Sequence, residues 1–239
     1  MSLNSIKVKI QDWITYEENR PRIPYEQNRE VHNKYRSTHD LDCILLGGDL
    51  RADNIFSLWL PLRYCLVEIN GYFKLNQYGN INKKIEFIRV LNNIELEKLL
   101  PPDNPLVKCL IELFELGQTE ANMMLLPEIG INGKRGGEPY YDYTPYFLYE
   151  CFEGGDFSHY FADDNALKLW IIEECLQPFF SQENGEYKID KKHLIDLSET
   201  KNIKDGVPAK GKKIILIKNY VSVLKKRKIF LEIIFREIP

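Results

Sequence analysis

Five side chains between residues 39 and 53 form the densest chemical cluster in the chain: His39, Asp40, Asp42, Asp49 and Asp53. Asp40 and Asp42 stand two apart at the head of the apolar run Cys43–Leu46. On a strand, residues two apart point to one face, where two carboxylates can share a hard cation such as Mg²⁺ or Mn²⁺. Asp49 and Asp53, across the Gly47-Gly48 turn, can add to that shell, and His39 sets a histidine beside the first carboxylate. The chemistry such a set would perform is metal-dependent hydrolysis of a phosphate ester or phosphodiester. The competing structural account is simpler: Asp49 and Asp53 cap helices, a common use of aspartate, while Asp40 and Asp42 face solvent.

Two further patterns carry weaker signals. Gly130–Gly137 places four glycines around Lys134 and Arg135 ahead of a helix. Glycines let backbone N–H groups approach an anion, so Lys134, Arg135, Gly136 and Gly137 are candidate anion-binding residues. The string matches neither the P-loop nor the dinucleotide fingerprint, and an ordinary surface loop is the simpler account of it. Asp164, followed by Glu186-Tyr187-Lys188, supplies two carboxylates and a lysine, the parts of a metal-dependent nuclease, at a spacing loose enough to arise by chance.

The third candidate surface is basic. Residues 201–239 hold eleven Lys and Arg against three Asp and Glu, which leaves the first 200 residues at −11 in a chain of net charge −3. Lys218, Lys225 and Arg227 fall off the apolar stripe of the tail and, with Lys226, are candidate phosphate contacts, so nucleic acid is one partner to consider. A cationic element docked on an acidic body explains the same asymmetry. No G-x-S-x-G string occurs, and the four histidines are scattered.

The elements that must hold these residues read as one mainly α domain with a minor strand component, residues 1–239, with 210–239 as a candidate helical appendage. Of the seventeen residues Asn54–Asn70, twelve are apolar, counting Pro61. A segment apolar on nearly every side belongs inside, so this is the expected central helix, with Asp53 as its N-cap, Gly71 as its C-terminal glycine and a kink at Pro61. Ile6–Ile10 alternates like a short strand, and Asp42–Leu46 reads as a second one. Asn104-Pro105 opens a helix that Gly117 ends, and Thr119 starts a short helix toward Leu126. Thr144-Pro145 and Asp163 or Asp164 open two more, and Asn184-Gly185 marks a hairpin.

For the tail, positions 214, 217, 221, 224, 228, 231, 235 and 238 are apolar except Lys228, favouring one long helix over a pair of strands. The stripe runs for more than three heptads and can serve as a dimer seam. Hydrophobic content of 44% and charged content of 28% are those of a globular protein. Five cysteines fall singly in apolar segments, and no leader or membrane span stands out, so the expectation is a cytoplasmic protein without a membrane partner. The leading functional reading is a non-enzymatic interaction module, without a cofactor, that binds a protein partner or self-associates through the C-terminal helix. The alternative is a nuclease-like phosphate hydrolase using Asp40, Asp42, Asp49 and Asp53 with Mg²⁺ or Mn²⁺.

Overall fold

The computed structural model describes residues 2–19, 50–56, 58–70, 88, 91–127, 144–149, 163–184, 186–193 and 212–237. These are mainly helical: α1 (Asn4–Asn19), α2 (Trp59–Asn70), α3 (Leu96–Leu99), α4 (Pro105–Gly117), α5 (Thr144–Tyr149), α6 (Asp164–Glu173) and α7 (Lys212–Glu237). Strands β1 (Leu50–Asn54) and β2 (Met123–Pro127) form an antiparallel pair, and β3 (Phe180–Glu183) with β4 (Glu186–Ile189) forms a hairpin. Single 3-10 turns cover Glu120–Asn122, Gln177–Phe179 and Lys191–His193.

Helix α4 lies at the centre, packed by α1, α2 and α7. Its ends follow local chemistry. The Asn104 Oδ1 accepts the Leu106 N–H at 2.9 Å and Pro105 occupies the first turn, where a missing donor costs nothing. Gly117 is its last residue, and a Cβ there would collide with the Leu58 methyls, so close packing rather than a left-handed backbone requires this glycine. Likewise the Asp163 Oδ1 accepts the Ala166 N–H at 2.8 Å and opens α6. Asn184, at φ 55°, supplies the left-handed residue of the β3–β4 turn, in which Glu183 pairs with Glu186.

Three expectations are corrected. Ile6–Ile10 belongs to a helix, because Leu3, Ile6, Ile10, Trp13 and Ile14 are buried together at helical spacing, a longer-range signal than five alternating residues. Trp13 then meets Trp59 edge-on at 5.5 Å and Phe114 at 6.3 Å, joining α1, α2 and α4. The segment from Thr119 to Leu126 is a 3-10 turn running into β2, not a helix.

The third correction concerns Asn54–Asn70. This span is buried at Ile55, Phe56, Trp59 and Leu66, as expected, yet its helix begins only at Trp59. Asn54 pairs with Met123 in the β1–β2 ladder, and Asp53, opposite Met124, is a strand residue and no N-cap. The buried Asn122 side chain prolongs that ladder: its Oδ1 accepts the Phe56 N–H at 2.9 Å, and its Nδ2 donates to the Phe56 carbonyl at 3.0 Å and the Gly117 carbonyl at 3.1 Å. Pro61 therefore sits in the first turn of α2, where its missing N–H has no partner to lose, and the anticipated break does not arise.

Candidate functional site

Helix α7 is the element with two distinct faces. Leu216, Ile217, Tyr220, Val221, Val223, Leu224, Arg227 and Leu231 are buried. Tyr220 stacks on Phe56 with ring centroids 3.7 Å apart and planes 15° from parallel. Phe56 in turn meets Phe179 at 5.7 Å. The stripe expected as a dimer seam is thus spent largely inside the chain: Ile217, Val221, Leu224 and Leu231 pack into the core, whereas Lys228 is exposed.

Arg227 requires a correction. Expected on the solvent side as a phosphate contact, it is fully buried. Its Nε donates to the carbonyls of Glu174 at 3.0 Å and Cys175 at 3.2 Å, its Nη1 donates to the Ala121 carbonyl, and its Nη2 to the Glu174 carbonyl. The Glu174 carboxylate, also fully buried, lies 4.0 Å from Nη2. The planar guanidinium is suited to this work, because one rigid fork can serve carbonyls from two chain segments at once. Arg227 ties α7 to the end of α6 and to the 120–122 turn; it does not face a ligand.

The outer face carries Ile215, Lys218, Ser222, Lys225, Lys226, Lys228, Ile229, Phe230, Glu232 and Ile233, all exposed. Lys225 pairs with Glu112 of α4. The three basic candidates Lys218, Lys225 and Lys226 therefore do lie at the surface, separated from the fourth. Within five residues at the C-terminal end, Ile229, Phe230 and Ile233 remain 57%, 39% and 51% exposed. Neither Ile229 nor Ile233 stands out in the sequence, since six of the seven residues 229–235 are apolar and periodicity cannot say which side chains the body will cover. The available signal was the surplus itself: one helix face cannot bury them all.

Of the acidic cluster, His39, Asp40, Asp42 and Asp49 lie outside the described residues, as do Lys134, Arg135, Gly136 and Gly137. Among the described residues no group of three or more His, Cys, Asp and Glu is placed to hold a metal ion. In the Asp164/Glu186/Lys188 pattern, Lys188 is held by Glu183 across the hairpin at 2.9 Å. His193 is a core residue: its Nε2 donates to the Pro178 carbonyl at 3.1 Å, and its ring meets Phe179 edge-on at 5.5 Å. Burial pushes the Cys175 thiol up to about 11 against the opposing pull of Arg227, and burial also raises Cys109, so neither thiol is an activated nucleophile.

A groove of about 590 Å³ lies between α1 and residues 91–97, with Ile10, Leu91 and Leu96 at its floor and Lys7 and Glu97 paired at 2.7 Å on its rim. Among the described residues its charged lining side chains, Lys7, Glu95 and Glu97, are exposed at the rim and none is buried in the groove. Among the described residues no helix is long and apolar enough to cross a membrane. Compared with known protein families, curated proteins and solved structures, the chain matches none.

Proposed function

We propose that this protein is a non-enzymatic interaction module that engages another protein through the outer face of α7. The observation that carries this reading is the exposure of Ile229, Phe230 and Ile233 on a helix whose opposite face already satisfies the core. Burying a side chain of this size is worth roughly 1.5–3 kcal/mol, so three within five residues constitute an adhesive patch that the described elements leave exposed. Lys225, Lys226 and Lys228 border the patch on its N-terminal side and Glu232 lies beside Ile233, which sets a charged edge against an apolar centre.

Because α7 contributes so much of the core, removing the helix would test folding and not binding. Point changes on the outer face separate the two. A photo-crosslinking amino acid placed at position 229 of the full chain, in its native cells, should give a discrete adduct that Ile233→Asp abolishes. The same probe at the exposed Ser181 should give none. Equal labelling from both positions, or no adduct from either, would overturn the proposal.

A further inference from the structure

We infer that the partner of this face is an acidic amphipathic helix of another protein, an inference that rests on the interaction reading above and specifies the chemistry of what binds. The charge on the patch decides between occupants. Lys218, Lys225, Lys226 and Lys228 stand exposed on α7, and Glu232 is the only carboxylate among the described side chains of that helix. Lys225 is already matched by Glu112. Lys218, Lys226 and Lys228 are exposed, and among the described residues no carboxylate pairs with them.

A second copy of the chain is a poor occupant. In a two-fold pairing the same surface appears on both sides, so a helix face with exposed Lys218, Lys225, Lys226 and Lys228 and one exposed Glu232 would meet an equally basic face, and like charges across an interface oppose association. Nucleic acid would use the lysines but has no use for Ile229, Phe230 and Ile233. An anionic lipid surface would use both, but insertion needs a broad apolar face. Here the broad face of α7, from Leu216 to Leu231, is occupied by the core. What remains is short, convex and apolar, with basic flanks. A helix offering apolar residues three and four apart, bordered by Glu or Asp, complements all of these features. The contact would be small, placing it among weak, salt-sensitive encounters with Kd on the order of 10–100 µM.

The test uses the full chain and three probes: a labelled helical peptide with a leucine seam flanked by glutamates, the same peptide with lysines for glutamates, and vesicles containing phosphatidylserine. The glutamate peptide should bind about tenfold tighter than the lysine peptide, and weaken several-fold between about 50 and about 300 mM salt. Lys226→Glu with Lys228→Glu should reverse that preference, and Ile229→Ser with Ile233→Ser should remove binding of both peptides. All four positions are exposed, so unchanged melting temperatures would show that the variants fold. Equal binding of the two peptides, a preference indifferent to charge reversal, self-association in sedimentation, or tighter binding to vesicles would each overturn the inference. A crosslinked adduct at position 229 without any charge preference would remove only the acidic partner, whereas absence of the adduct would remove the interaction reading with it.

Discussion

Arg227 and Glu174 face each other 4.0 Å apart, Nη2 to Oε2, with neither side chain exposed. At that separation the carboxylate neutralises the charge while the backbone carbonyls of Ala121, Glu174 and Cys175 take up the donors. Removing one member of a buried pair strands the other. Arg227→Met should therefore lower unfolding free energy by about 3–5 kcal/mol in urea titration, and Glu174→Met by a similar amount. Arg227→Lys should recover little, because a single ammonium cannot reproduce the fork. The double change to methionine should cost less than the sum of the two singles.

His193 makes stability depend on acidity. Burial, reinforced by the nearby charge of Lys192, holds its imidazole down to about 4. An unfolded histidine titrates near pH 6.5, so the unfolded chain takes up a proton over the interval in which the folded chain refuses it. The contribution is complete above about pH 6.5 and is lost as pH falls from there through about 4, amounting to roughly 3 kcal/mol. Urea midpoints across that window should fall with pH, and the slope should flatten in His193→Gln. An unchanged slope would refute the assignment.

Thiol chemistry should sort the described cysteines by burial. Cys65 and Cys175 are buried and Cys109 is partly accessible. With its thiol held near 11, Cys175 has almost no thiolate at neutral pH. Alkylation followed by peptide mapping should modify Cys109 first, and Cys65 and Cys175 only once denaturant opens the fold.

Asn122 should tolerate no close relative. Its side chain makes hydrogen bonds to Phe56 N–H, Phe56 carbonyl and Gly117 carbonyl. Asn122→Asp keeps the acceptor but removes both donor contacts, and Asn122→Leu removes all three bonds and leaves backbone groups unsatisfied. Each unsatisfied buried group costs about 1–3 kcal/mol, so both variants should shift the urea midpoint markedly, and aspartate further at neutral than at acidic pH, because its buried carboxylate faces two carbonyl oxygens.

What was legible in the sequence was what local chemistry decides. The caps at Asn104 and Asp163, the Asn184-Gly185 turn and the long C-terminal helix each depend on residues within a turn or two of one another. Where distant residues decide, the local pattern misled. Asn54–Leu58 has helical composition, but Asn122 and the β2 backbone hold its first residues extended. Asp53 follows them into the strand. The stripe through 221, 224 and 228 leaves Arg227 outside, although its position continues the inward progression of Tyr220, Leu224 and Leu231. A stripe drawn through 220, 224, 227 and 231 places it inside. The acidic cluster and the glycine loop fall on residues that the structure does not describe.

The stacked rings of Phe56 and Tyr220 join the first quarter of the polypeptide to its last tenth. During translation, Phe56 lacks this stacking partner until Tyr220 and the guanidinium beyond it clear the ribosome. A nascent chain stalled before that point displays apolar surface without its closure, which makes it a client for chaperones or proteases.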